Sequence, residues 1–314
     1  MMRICSLVPG ATEVIASLGL ADQLVGISHE CDFPLSIRNV PVMIEPLVET
    51  HRSTSAAIDQ QVKERVASGS SLYRLNEMAF HQARPDIIVT QELCHVCAVT
   101  PGQLTRAVAS LPLPPAILTL SPTTLEEMIH DIERIAAAVD RPENGQTLAK
   151  ELQHRLDRIK LKNLNRQSRP RVACLEWLDP LYVAGHWVPE MIDLAGGDNA
   201  LGSSDSPSRE TTWQEVDAAH PDIVILMPCG FSVDHTINEL RQSGPTQETW
   251  RQACERWPNL YVVDAASYFS RPGPRLVDGV ELLDSILHPR PAHGIDPVNA
   301  VKLEASILIG GSAS

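Results

Sequence analysis

Twice along the chain a Pro-Asp pair leads directly into four apolar residues: "ARPDIIVTQ" at 83–91 and "AHPDIVILMP" at 219–228. Each follows a short helical pattern and runs into a cysteine-bearing loop. A short, continuously apolar run between turn signals reads as a strand buried on both faces. Strands of that kind belong to parallel sheets whose faces are covered by helices. The double occurrence is a faint internal repeat, and it points to two similar lobes.

The surrounding pattern supports an α/β fold. In the first 120 residues, strand-like runs "RICSLV", "QLVGIS", "PDIIVTQ" and "PAILTLS" alternate with helical stretches. "PGATEVIASLGL" carries a stripe of Ala11, Val14, Ile15 and Leu18, and "AAIDQQVKERVAS" a stripe of Ile58, Val62 and Val66. "LYRLNEMAFHQA" reads as another helix, and Pro101 suits the first turn of "PGQLTRAVASL". Such alternation implies parallel strands joined by crossover helices. A helical zone follows. Thr123 and Glu126 are spaced as a capping box, and after "PENG" the segment 146–164 predicts one long helix between the lobes. The strand–helix pattern then restarts with "RVACLEW", "PDIVILMP" and "LYVVDA". "VPEMIDLAGG" is a helix stopped by Gly196 and Gly197, and Thr211 and Gln214 form a second candidate capping box. Trp213, Trp250 and Trp257 are assigned to packing. The tail from Arg290 is weakly patterned. The expected organisation is an N-terminal α/β lobe at 1–120, a helical segment at 121–167 with the rigid interlobe helix, and a C-terminal α/β lobe at 168–314. Each lobe is expected to hold a mostly parallel central sheet flanked by helices.

Composition excludes some functions. The chain has 314 residues, a net charge of −13 and a pI near 5.3. That acidity argues against nucleic acid. The basic stretch 155–171 reads as a solvated helix face. No segment approaches the roughly 18 apolar residues of a membrane span. The opening "MMRICSLVPGATEV" does not read as a secretory signal, and seven cysteines are an odd number for a disulfide framework. Both observations predict a cytoplasmic protein with reduced thiols. Cys5 and Cys174 lie inside strand-like runs and read as buried.

In parallel sheets ligands gather where the strands end. His29, Glu30, Cys31 and Asp32 follow one strand of the first lobe, and Cys94, His95 and Cys97 of "LCHVCA" follow another. Trp177, His186, Trp187, Cys229, Phe231, Tyr268, Phe269 and Arg271 fall in the corresponding loops of the second. Thiolate and imidazole suit zinc, cuprous ion or iron, which makes His29, Cys31, Cys94 and Cys97 a candidate metal set. A C-x-x-C can also exchange disulfides when it opens a helix, but Pro101 and Gly102 place the helix start several residues later. No G-x-S-x-G elbow, P-loop or H-E-x-x-H is present. The expectation is a protein that is not an enzyme.

Three blocks resemble one family. "ICSLVPGATEVIASLGLADQLVGISHECDFP", "YVAGHWVPEMIDLAGGDN" and "YFSRPGPRLVDGVELLDSILHP" resemble, in order, the cobalamin- and siderophore-type substrate-binding proteins of ABC importers. "LCHVCA" resembles the "LCxVCA" of a leaderless cobalamin-binding subgroup. The resemblance implies two α/β lobes joined by one rigid helix, with a corrinoid (cobalamin-like) or related chelated-metal ligand, haem included, held in the cleft between them. Aromatic walls would come from Trp177, Trp187, Phe231 and Tyr268, and His29, His95 or His186 would ligate the central metal. An ABC permease is the implied partner, though the missing export signal weakens that role. The alternatives are a cytoplasmic metal- or thiol-dependent enzyme using Cys31, Cys94 and Cys97, and a structural protein with a degenerate cleft.

Overall fold

The computed structural model describes residues 1–50, 53–91, 104, 107–109, 111–204, 206–242, 245–289 and 294–309. The chain forms two compact units, each an α/β sheet flanked by helices. The first unit comprises Met1–Ser53 and Ala57–Gln153, and takes in Pro272–Pro274. The second comprises His154–Arg271 and Arg275–Ser314, and takes in Thr54–Ala56.

In the first unit, β1 (Ile4–Ser6), β2 (Leu24–Ser28), β3 (Val42–Pro46), β4 (Tyr73–Leu75), β5 (Ile87–Gln91) and β6 (Ala116–Leu120) form a six-stranded sheet. Its order is β4-β3-β2-β1-β5-β6, parallel except for the β3–β4 edge pair. The central strands are apolar on both faces because helices cover both: Ile4, Cys5, Ile88 and Val89 are fully buried. Two differences from the sequence reading stand out. The helix expected over 72–83 opens as β4, and the helix begins only at Glu77, where the Asn76 side chain caps the Ala79 N–H. β3 carries no clear alternation and is a strand through its place between β2 and β4.

The helical stretch divides between the units. Helix Leu125–Ala138 packs on helix Pro9–Ser17, and its Met128, Ile132 and Ile135 are buried. Helix Pro142–Asn163 spans 22 residues, and the boundary between the units falls inside it, after Gln153. It starts earlier than the sequence suggests. "PENG" is its first turn rather than a linker, because a Cβ at Gly145 would lie 2.2 Å from the Ala136 Cβ, so glycine permits the close approach. The basic stretch is not simply a solvated face. Arg155 pairs with Asp278 and Glu281, and Lys162 with Asp284, all on helix Arg275–Leu287.

In the second unit, β7 (Arg171–Leu178), β8 (Leu181–Val183), β9 (Asp198–Asn199), β10 (Arg209–Glu210), β11 (Ile223–Leu226), β12 (Leu260–Val263) and β13 (Ala300–Lys302) form a seven-stranded sheet. The path is β10-β8-β7-β11-β12-β13, with β9 beside β7. β7, β11 and β12 are parallel, while β8, β10 and β13 add antiparallel edges. Trp213 stacks on Trp257 and meets Trp250 edge-on, within the core as expected. Both capping boxes lie one residue later than predicted. Thr124 caps the Glu127 N–H, and Thr212 caps the Glu215 N–H. Each glutamate then reaches back to the preceding threonine, Thr123 or Thr211. No described helix is long and apolar enough to cross a membrane.

Candidate functional site

In the first unit, the parallel strands β1, β2, β5 and β6 all end at one edge. The chain order reverses between β1 and β5, which is where a ligand crevice forms in such sheets. Just past β2, the Cys31 N–H donates to Ser28 O at 3.0 Å and turns the thiol inward. Cys31 is 9% exposed, and its Sγ lies 3.1 Å from Thr12 Oγ1. Thr12 Oγ1 in turn lies 2.8 Å from Ser6 Oγ. This buried chain of small polar groups ties β1, the loop after β2 and helix Pro9–Ser17 together. Cys31 is therefore a brace beneath the edge.

His29 sits above it. Its Nε2 lies 3.2 Å from Glu30 Oε1, its Nδ1 lies 3.4 Å from Ser28 Oγ, and its ring centre is 5.6 Å from that of Tyr73. Asp32 is exposed on the same loop. Cys94, His95 and Cys97, which follow β5, lie outside the described residues. Among the described residues no group of three or more His, Cys, Asp or Glu side chains is gathered to hold a metal ion. The β2 loop also presents Phe33 and Leu35, both exposed apolar residues that sequence reasoning passed over.

In the second unit β7, β11 and β12 end at a common edge, and their loops are laced together. Ala266 N–H donates to Phe231 O at 3.0 Å, and Gly230 N–H to Ser270 Oγ at 3.0 Å. The indole N–H of Trp187 donates to Phe269 O at 2.8 Å. Trp187, Phe231 and Phe269 are themselves interior, at 5%, 3% and 3% exposure. They hold the loops in place rather than forming an open wall, since packed rings have no face left for a ligand. Trp177, His186 and Tyr268 are only partly covered. The Tyr268 hydroxyl donates to Asn299 Oδ1 at 3.2 Å, and burial with nearby Asp264 raises its pKa. Arg271 is buried and Cys229 exposed.

Three further residues shape this edge. The Trp177 indole N–H donates to Ser55 O at 3.2 Å, and its ring lies 5.5 Å from Phe231, which stacks on His235 at 3.7 Å. Ser55 opens helix Ser55–Ala67 and is fully buried. Its N–H lies 3.0 Å from both carboxylate oxygens of Glu239, and its hydroxyl donates to one of them. A carboxylate at a helix N-terminus is favoured by the helix dipole. Burial nevertheless pushes the Glu239 pKa up, against the pull of the Ser55 hydrogen bonds. No local signal marks Glu239, because its partner Ser55 lies 184 positions away; His235 lies only four residues after its partner Phe231.

His186 has the most unusual backbone of the candidates, with φ at +53°. The other non-glycine residues with positive φ among the described residues are Arg84, Asp140 and His220. Each of those follows a helix end, where a left-handed residue is an ordinary cap. His186 instead precedes helix Val188–Leu194. Left-handed non-glycine backbone costs about 1–3 kcal/mol. It is held by its N–H donating to Ser206 O at 2.8 Å. At Gly185 a Cβ would lie 2.4 Å from the same oxygen, so only glycine fits there. The imidazole ring lies 5.7 Å from the Trp187 ring, and burial lowers its pKa.

Comparison with known proteins follows the same lines. A family model described as periplasmic binding protein matches residues 81–249. The chain is 27% identical over 282 residues to the vitamin B12-binding protein of Vibrio cholerae, covering 89% of this chain and 86% of that one. It is 23% identical over 236 residues to the vitamin B12-binding protein of Yersinia pestis, covering 74% and 72%. Among solved structures, a periplasmic heme-binding protein from Pseudomonas aeruginosa superposes with a TM-score of 0.69 at 19% identity, covering 95% of this chain and 96% of that one. The periplasmic vitamin B12-binding protein of Vibrio cholerae gives 0.61 at 23%, covering 91% and 96%. At these identities the superpositions establish the fold.

Proposed function

The chain belongs to the periplasmic binding protein family, and on that premise we propose that it binds a corrinoid or a related planar metal chelate and performs no reaction on it. The carrying observation is the similarity to vitamin B12-binding proteins along 89% of the chain. The chemistry of the strand edges agrees. A broad chelate disc is recognised by apolar surface with a few placed polar groups, and along the edge of the second unit the partly covered Trp177, Tyr268 and His186 offer both kinds. The thiol-enzyme alternative draws nothing from Cys31, whose sulfur is turned inward onto Thr12. The odd complement of seven cysteines favours a reducing compartment, so we place the protein in the cytoplasm. An ABC permease is the partner to test, by co-purification from membranes that carry one.

The deciding experiment is a titration with cyanocobalamin, diaquacobinamide and hemin, followed by tryptophan fluorescence and calorimetry. Saturable one-to-one binding of at least one probe at micromolar concentration is expected. Absence of heat and of quenching with all three would overturn the reading. Localisation is checked by fractionating cells that express the native gene.

A further inference from the structure

We propose that the groove between helix Trp213–Ala218 and helix Pro245–Arg256 is a second binding site, which takes a small uncharged sugar. This groove is set apart from the edge where the chelate is placed. The two helices lead into the starts of β11 and β12, so the ends that carry Asp217 and Arg256 lie toward the strand starts, opposite the loops that gather at the strand ends. The groove holds a partly open cavity of about 270 Å³. Thr249, Gln252 and Arg256 line one side at helical spacing, over a length of about 10 Å. Trp213, Gln214 and Asp217 line the other.

The chemistry of these walls fits a sugar. Trp213 packs against the core but stays partly uncovered. It lies nearly parallel to Trp257, at 5.6 Å and 13°, and Trp250 meets it edge-on at 4.9 Å, so its ring is held in one orientation. A fixed, partly open indole is a platform for the apolar C–H face of a sugar ring. Its N–H has no hydrogen-bond partner among the described residues, although indole N–H groups usually find one when buried. Beside it, Arg256 Nη1 donates to Asp217 Oδ2 at 2.8 Å across the groove. An adjacent donor and acceptor match neighbouring hydroxyls, since each hydroxyl both donates and accepts. Gln252 Nε2 donates to Glu248 Oε1, which leaves its amide oxygen to accept, and Gln214 and Thr249 add an amide and a hydroxyl. The charges of Asp217 and Arg256 cancel, so the lining favours neither an anion nor a cation. The volume falls just below the range of drug-sized pockets, about 300–1,000 Å³, which suits one sugar ring and is too small for a chelate disc.

The test uses the full chain and saturation-transfer NMR with D-glucose, D-galactose and D-ribose. Cyclohexanol serves as the ring without neighbouring hydroxyls. A ligand of about 12 non-hydrogen atoms at ordinary efficiency binds in the millimolar range, which sets the concentrations. At least one sugar is expected to give a saturable signal and to move one indole N–H resonance, the one that Trp213→Phe removes. Arg256→Gln should weaken that sugar at least about tenfold. Its fold should survive, because both partners of the ion pair are substantially exposed, and circular dichroism melting checks this. Absence of a saturable signal with all three sugars overturns the inference. So does unchanged sugar binding in a folded Arg256→Gln, or an equal response to cyclohexanol. Diaquacobinamide should not displace the sugar from the wild type, and displacement overturns a separate site.

Discussion

Gly10 is the sharpest test of the packing described above. It is the second residue of helix Pro9–Ser17, and Pro272–Pro274 lies against it. A Cβ at Gly10 would lie 1.9 Å from the Pro272 carbonyl oxygen and 2.6 Å from its carbon. Ordinary carbon–oxygen contact begins at about 3.3 Å, so Gly10→Ala must move backbone by roughly 1 Å or more. Two effects oppose each other. Alanine is the better helix former by about 1 kcal/mol, whereas overpacking costs about 1–3 kcal/mol. The obstructing atoms are main chain rather than a flexible side-chain tip, so the upper value applies. The net loss is then about 2 kcal/mol, which for a domain of this size lowers Tm by roughly 4–8 °C. Gly273→Ala should cost less, because its Cβ would meet the Gly10 Cα at 2.8 Å. Calorimetry and urea unfolding of both variants measure this. A Gly10→Ala protein as stable as the wild type, or one less affected than Gly273→Ala, would refute the reasoning.

The remaining predictions concern charges and thiols. Glu239→Ala strips the fully buried Ser55 N–H and hydroxyl of their acceptor, and should cost about 2–3 kcal/mol in urea unfolding. The folded pKa of Glu239 is raised by burial, so the unfolded chain releases this proton first as pH rises. The contribution of Glu239 is thus fully present below the usual carboxylate pKa and is lost as pH climbs through the folded value. The wild type minus Glu239→Gln stability difference, followed by urea midpoints from pH 4 to pH 8 (roughly the range that brackets a raised carboxylate), should fall with rising pH; a flat or rising difference would contradict it. Arg155→Ala breaks pairs whose acidic partners are substantially exposed, so its loss should stay near about 1 kcal/mol and shrink in high salt. Among the described cysteines, Cys229 is exposed and should react first with a thiol reagent. Cys254, pushed up to about 11 by partial burial, should be slower, and Cys5 and Cys174 should react only on unfolding. Mass mapping of labelled peptides gives that order.

The alternating fold and its two sheets are legible in the sequence because a strand covered on both faces must be apolar along its whole length. "RICSLV", "PDIIVTQ" and "PDIVILMP" carry that signal and become β1, β5 and β11. Strands at or next to a sheet edge carry less of it. β3, β4, β9 and β10 are short or partly exposed, and their neighbours decide them. The capping boxes show how fine that limit is. "TTLEE" and "TTWQE" each offer two threonines, and only the extended backbone of Thr124 and Thr212 shows which one caps.

The sequence by itself determined which loops follow the parallel strands, and so which residues gather at the strand ends. Those are local properties, carried by hydrophobic period and turn chemistry. The tertiary structure decided what each residue does there. Composition cannot distinguish an aromatic that faces ligand from one that fills a core, yet Phe231 is interior and Trp177 partly open. Nor can it pair Ser55 with Glu239, which lie 184 positions apart, or reveal the left-handed backbone at His186. Such pairings and strains arise from contacts distant in the chain, and those exist only once it has folded.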